Sequence, residues 1–175
     1  MKEDLTVYCY CRTPSPLGPL LLTGNDRGLT GLFFRDHLYP PKQDESWKHD
    51  TEPFGDVAEQ IDEYLEGERE KFELPLSLSG TEFQKSVWQL LLEIPCGQTR
   101  TYGSIARQLG KPNGGRAVGA AVGRNPISII VPCHRVIGAS GSLTGYAGGV
   151  RRKEFLLELE NARATLGDGY GTNCS

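Results

Sequence analysis

The chain has 175 residues with 19 Lys+Arg, 22 Asp+Glu, a formal net charge of -3 and 38% hydrophobic residues. That balance suits a globular protein with its own core and excludes a fibrous or disordered chain. No apolar run approaches the roughly 18 residues a membrane span needs. The acidic start Met1-Lys2-Glu3-Asp4 lacks the apolar stretch of a secretory signal, so an intracellular protein with no membrane partner is expected.

Residues 5–35 read as short strands separated by turns: Leu5–Cys11, then Pro14-Ser15-Pro16, Leu20–Thr23, Gly24 to Gly28, and Leu29–Phe34. The pattern predicts an antiparallel meander. Residues 36–53 are polar, contain Pro40, Pro41 and Pro53, and predict a long surface loop. Val57, Ile61, Tyr64 and Leu65 recur at helical spacing, and Gly67 can close that helix. Leu74–Ser79 reads as a connector. The first half shows no catalytic constellation, so scaffolding is its expected role.

Thr81-Glu82-Phe83-Gln84 is a capping-box pattern. It precedes an apolar stripe of Phe83, Val87, Trp88, Leu91 and Leu92 that ends at Pro95-Cys96-Gly97. A helix is predicted from Tyr102 to Leu109, stopped by Gly110 and Pro112, and another from Arg116 to just before Asn125-Pro126. Two short helices joined by a tight Gly-containing turn read as helix-turn-helix. In the second of them, Gly119 and Gly123 each cost about 1 kcal/mol relative to alanine. Such small residues fit either a partner approaching the backbone closely or packing against another helix. For a DNA partner this helix lacks the side chains that read the major groove, and it suits minor-groove contact with little sequence discrimination.

Charge is distributed unevenly. Residues 1–93 hold 9 basic and 18 acidic side chains, whereas residues 94–153 hold 9 basic and no acidic ones. A wholly basic stretch in an acidic protein is the footprint of a polyanion partner, or else a solvated face neutralised by its neighbours. The five cysteines, Cys9, Cys11, Cys96, Cys133 and Cys174, form no disulfide framework and no CxxC pair, so a reducing compartment and no metal site are expected. Cys9 and Cys11 would share one strand face, as buried free thiols.

Ile127-Ser128-Ile129-Ile130-Val131 predicts a buried strand that delivers Pro132-Cys133-His134-Arg135. Neighbouring side chains on a strand point to opposite faces, so Cys133 and His134 cooperate only where the chain leaves extended geometry, and Pro132 makes that departure plausible. His134 can then act as base for the thiol, directly or through a water, with Glu160 a candidate carboxylate to fix its tautomer. Taken alone, the pair also fits a cysteine hydrolase, or a helix-turn-helix DNA binder whose cysteine is merely buried.

Residues 125–149, from Asn125-Pro126 through Pro132-Cys133-His134-Arg135-Val136 to Thr144-Gly-Tyr-Ala-Gly-Gly149, resemble the active-site region of O6-alkylguanine-DNA alkyltransferases. The similarity extends over about residues 81–160, including Ile94-Pro95-Cys96-Gly97, Tyr102-Gly103 and Arg116-Ala-Val-Gly119, and Ser15-Pro16-Leu17-Gly18-Pro19 resembles the family's amino-terminal turn. The resemblance implies an α+β fold: an amino-terminal antiparallel sheet with a helix, ribonuclease-H-like, at 1–78. A helical, winged-helix-like domain with the helix-turn-helix follows at 79–160, and a flexible tail at 161–175. It implies a monomeric suicide DNA-repair protein without cofactor or metal, acting in a prokaryotic cytoplasm or a eukaryotic nucleus. Its partner would be double-stranded DNA, from which it moves the alkyl group of O6-alkylguanine, and also of O4-alkylthymine, irreversibly onto Cys133.

The same resemblance assigns roles residue by residue. His134 would act through a water with Glu160 completing the relay, Asn125 would brace the turn, and Tyr102 would help rotate the nucleotide and protonate the leaving guanine. Arg116 would fill the gap in the base stack, with Ala117, Ala121 and Arg124 also on the DNA face. Tyr146, Ala147, Gly148 and Lys153 would line the base pocket, and backbone groups of Cys133 and Val136 would read the guanine edge. Some relatives have Ser at the position of Ala147, so here only a backbone N–H remains for O6. Lesion binders of the family that lack transfer activity have Trp in place of the cysteine.

Overall fold

The computed structural model describes residues 9–43, 45–143 and 145–168. Strands β1 (Cys9–Thr13), β2 (Leu20–Asn25) and β3 (Gly28–Phe34) form the expected antiparallel meander. The first strand begins at Cys9; Leu5 to Tyr8 of its predicted span lie outside the described residues. The loop at 36–53 is not structureless. It contributes β4 (Lys48–His49), which pairs parallel to β1 and gives the order β3-β2-β1-β4, and a 3-10 turn at Glu52–Phe54.

Helix α1 (Gly55–Glu66) buries Val57, Ile61 and Tyr64, and Gly67 ends it at φ 90, a left-handed backbone that glycine adopts without a Cβ clash. Helix α2 (Glu82–Leu92) starts with the predicted capping box, Thr81 and Gln84 each bonding the other's backbone. Strand β5 (Arg100–Thr101) runs into α3 (Tyr102–Gln108), itself capped by Thr101 and Ser104. Helix α4 (Gly115–Gly123) completes the helix-turn-helix, and β6 (Val136–Ile137) pairs parallel to β5. Among the described cysteines, Cys9, Cys11, Cys96 and Cys133 are free.

Two features differ from the sequence reading. Residues 127–131 do not form a strand: a single bridge from Ile127 to Leu32 of β3 is followed by tight turns, with Ile129 at φ 70. The backbone groups a strand would offer to a neighbour are taken instead by Asn125 and by local bonds, Val131 N–H to Ile127 and Ile130 N–H to Ser128. The supposed tail at 161 is still helical, because α5 spans Val150–Asp168. The glycine-rich stretch beyond it, with Cys174, falls outside the described residues.

The core is one cluster that crosses both halves. It joins Leu22 and Leu32 of the sheet, Ile61 of α1, Trp88 and Leu91 of α2, and Ile127, Val131 and Leu156 around the Cys133 turn. The open edge of β3 sets the turn's position: Leu32 donates to Pro126 at 2.9 Å and accepts from Ser128 at 3.1 Å. The same strand holds the connector, with Leu29 donating to Pro75 at 2.9 Å. A strand edge left unpaired is a liability, and here both backbone segments that cover it lead to functional parts of the chain.

Candidate active site

Pro132, at φ -81 and ψ 64, turns the chain out of extended geometry, and Cys133–Arg135 follow as one 3-10 turn. Successive side chains in such a turn diverge by about 120° rather than 180°. The turn therefore no longer forces Cys133 and His134 onto opposite faces. Asn125, 2% exposed, holds the turn from inside. Its Nδ2 donates to Val131 at 2.8 Å and its Oδ1 accepts from Ile127 N–H at 3.0 Å.

His134 is wholly buried, and its Nε2 lies 2.8 Å from Oε1 of Glu160 on α5. Glu160 also accepts from Arg135, through Nη2 at 2.7 Å and Nε at 3.0 Å, from the Tyr64 hydroxyl at 2.6 Å, and from Gly97 N–H at 3.4 Å. Burial alone would raise the Glu160 carboxyl, but the bonds from His134 and Arg135 outweigh it and hold the group ionised. An ionised carboxylate only accepts, so Nε2 of His134 carries the proton. Burial pushes the imidazole below its ordinary value against the pull of Glu160, leaving it neutral at pH 7 with its lone pair on Nδ1. That Nδ1 is buried without a hydrogen-bond partner among the described residues.

Cys133 is 5% exposed. Burial raises its pKa, opposed by the Asn125 amide, the Lys153 ammonium and the N–H groups of Cys133 and His134. Lys153 is fully buried and donates to the Val136 carbonyl, its ammonium 6.0 Å from the Tyr102 ring centroid. Its pKa is lowered by burial, with Cys133 acting the other way. Tyr146 lies near the same thiol: its hydroxyl is buried and unpartnered among the described residues, and burial, with Cys133 acting in the same direction, pushes its phenol well above the ordinary value.

The segment around Tyr146 is held by the amino-terminal half. Gly148 has no room for a side chain, since a Cβ there would stand 2.5 Å from the Phe34 ring. Ala147 accepts from Leu38 N–H at 2.9 Å. Arg152 donates to Gly148 at 2.7 Å and to Leu17 at 3.0 Å, and lies over Phe34 at 4.6 Å. Tyr102, half-buried at the start of α3, sits between α4 and this segment. A Cβ on Gly119 would be 3.8 Å from its ring, and one on Gly145 would be 3.6 Å from its hydroxyl.

On the outer face of α4, Arg116 and Ala117 are exposed. Ala121 is not available to a partner: it is 2% exposed and its carbonyl accepts the Trp88 indole N–H at 2.8 Å. The small residue there serves helix packing, one of the two readings open from the sequence. Arg124 is exposed but lies over the Tyr39 ring at 3.8 Å. Val136 is buried, its N–H bonded to the Cys133 carbonyl and its own carbonyl to Lys153, so each carbonyl retains only its second lone pair.

Sequence reasoning missed Tyr64 and Arg135. In sequence, Tyr64 belongs to the apolar stripe of α1, and its polar tip is the available signal. Arg135 belongs to the basic stretch in sequence, yet it is 6% exposed and donates to Ile94 at 2.6 Å as well as to Glu160. With Lys153 also buried, two of the nine basic charges in 94–153 are internal.

A buried thiol adjacent in sequence to a buried His–Glu pair, beside a helix-turn-helix with an exposed basic face, defines a protein built for covalent chemistry on DNA. Residues 82–162 match the DNA binding domain, and residues 7–78 the ribonuclease-like domain, of 6-O-methylguanine DNA methyltransferase, and the chain belongs to this family. It is 52% identical over 155 residues to the methylated-DNA–protein-cysteine methyltransferase of Mycobacterium bovis, covering 89% of this chain and 93% of the relative. The same-named protein of Methanosarcina acetivorans is 51% identical over 153 residues, 87% of this chain and 98% of the relative. The crystal structure of Mycobacterium tuberculosis OGT in complex with DNA superposes with a TM-score of 0.83 at 50% identity, covering 89% of this chain and 94% of that one. The fold is thus α+β, with the ribonuclease-like part first and the DNA-binding part second.

Proposed function

We propose that the chain repairs DNA by direct reversal, moving an alkyl group from O6 of guanine in duplex DNA, or O4 of thymine, to Sγ of Cys133. The observation that carries this reading is His134, whose Nε2–H is tied to Glu160 at 2.8 Å while its buried Nδ1 keeps a lone pair. A neutral imidazole held in that tautomer is a base for the neighbouring thiol. A water between them takes the thiol proton as it passes its own to Nδ1, and Glu160 stabilises the imidazolium. The thiolate attacks the alkyl carbon, the S–C bond forms as the C–O bond breaks, and the electron pair stays on the guanine. Tyr102 assists protonation of that leaving base. The thioether does not hydrolyse, so one chain repairs one lesion.

The sulfur is too enclosed to reach a base within a duplex, so the nucleotide is flipped out. Arg116 and Ala117 approach through the minor groove, with Arg116 filling the gap in the stack and Arg124 adding charge at the edge. Tyr146, Ala147, Gly148 and Lys153 form the pocket wall, and the Cys133 and Val136 carbonyls read the guanine edge. Four free cysteines among the described residues, Cys133 the nucleophile among them, fit work in a reducing compartment, a prokaryotic cytoplasm or a eukaryotic nucleus, and the chain acts as a monomer.

Intact mass after incubation with a duplex containing O6-methylguanine tests this directly. The expected result is one methyl adduct per chain, mapped to Cys133, saturating at one equivalent and missing from Cys133→Ala. Duplex binding without an adduct would reduce the chain to a lesion-binding module.

A further inference from the structure

The carboxylate of the relay is held from both halves of the molecule. Arg135 and His134 reach Glu160 from the 3-10 turn, and Tyr64 reaches it from α1, 96 residues away in sequence. Tyr64 is fully buried, its ring tilted against Phe72 with centroids 5.3 Å apart. Its hydroxyl donates at 2.6 Å to Oε1, the same oxygen that accepts His134 Nε2–H, and stands 3.5 Å from that nitrogen. Nothing in the packing of α1 requires a hydroxyl at this point, because phenylalanine would fill the same space.

We propose that Tyr64 is a positioning residue for alkyl transfer: its O–H fixes the charge and orientation of Glu160 Oε1, and through it the tautomer and basicity of His134. The inference rests on the transfer reading above. It makes the amino-terminal half a working part of the site rather than a scaffold alone. No proton leaves Tyr64 in this role. Burial and the adjacent Glu160 charge push the phenol far above its ordinary value, so it stays a donor throughout the physiological range.

The sign of the effect follows from the sharing of one oxygen. Each donor on Oε1 draws off negative charge that would otherwise stabilise the His134 imidazolium. Removing the phenol therefore makes His134 easier to protonate. The titratable and charged groups facing this imidazole are Glu160 and Lys153 from α5, Arg135 and Cys133 from its own turn, and Tyr64 from α1, while Cys96 faces Tyr64 and Arg135 from the turn before β5.

The test compares wild type, Tyr64→Phe and Phe72→Leu, the last disturbing the same packing while keeping the hydroxyl. Nitrogen-15 NMR follows the His134 ring from about pH 5 to 8, where an imidazole titrates. Single-turnover methyl transfer from an O6-methylguanine duplex is measured in parallel. Tyr64→Phe is expected to move the His134 midpoint and the acid limb of the rate upward together, and to lower the plateau rate about tenfold. Duplex binding should be unchanged, and Phe72→Leu should lower stability without moving the midpoint. An unmoved midpoint in Tyr64→Phe, or an equal movement in Phe72→Leu, would overturn the proposal. If the midpoint moves as expected but wild type forms no methyl adduct, the transfer reading fails and the Tyr64–Glu160–His134 coupling stands.

Discussion

Asn125 donates from Nδ2 to the Val131 carbonyl at 2.8 Å, across six residues of chain. A side chain here does what a neighbouring strand would otherwise do, and the segment between folds into turns rather than a strand. The Ile129 backbone at φ 70 is the cost, a left-handed conformation that a β-branched residue rarely adopts.

Asn125→Ala removes both sides of this bracket: it leaves the Ile127 N–H buried and unmatched, and the Val131 carbonyl keeps only its bond from Cys133 N–H at 2.8 Å. One orphaned buried group costs about 1–3 kcal/mol, so a loss of about 2 kcal/mol in unfolding free energy is expected. Methyl transfer should fall further than stability alone explains, because Cys133 is placed by this turn. Urea unfolding and single-turnover transfer at a temperature where the variant stays folded measure the two effects. A variant as active as wild type would show that the turn holds without its bracket.

Glu160 contributes stability in a defined pH window. Its folded pKa lies below the unfolded glutamate value of about 4.3, so its contribution is fully present above that pH and is lost as pH falls through the folded value. Glu160→Gln is expected to lower stability at pH 7 by about 3–5 kcal/mol, since Arg135 is left buried without its counter-charge. It should also flatten the decline between about pH 5 and 3 relative to wild type. Urea midpoints at several pH values check both, and parallel slopes for the two proteins would count against the depressed carboxyl.

Burial also sets the acid limb of the reaction. The base must be neutral to accept a proton, and His134 is held below the ordinary histidine value of about 6.5. Transfer should stay flat as pH drops from 8 to about 6.5 and fall only below it. The thiol pKa is raised, so high pH adds no thiolate in this range and the proton must leave through His134. Single-turnover rates against pH decide this, and an acid limb above about 6.5 would assign the base role elsewhere.

Much of this arrangement could be read from the residues. The Thr81 cap, the α3–α4 pair and the Cys133–His134 pair each follow from local pattern, and those patterns depend on a few neighbouring positions. Other features depend on what arrives from a distance. Residues 127–131 have the composition of a buried strand, and the bonds of Asn125 together with local turns make them something else. Arg135 looks like surface charge until Glu160 comes to it on α5. Ala121 sits on a helix made mostly of small residues, and Trp88 of α2 decides which of them face inward. Tyr64 carries no local sign that its hydroxyl meets a carboxylate near the other end of the chain.

Arg116 offers a separation of DNA binding from chemistry. It opens the exposed face of α4, and no described side chain of the relay touches it. Arg116→Ala should weaken duplex binding across sequences and reduce the slope of log affinity against log salt by about 1, the signature of one lost phosphate or groove contact. Transfer from a duplex should slow by about tenfold or more, since nothing then occupies the gap left by the flipped base. Transfer from O6-methylguanine supplied as the free base needs no flipping and should proceed at the wild-type rate. Equal losses on duplex and free base would place Arg116 in the support of the Cys133 pocket and remove it from the DNA face.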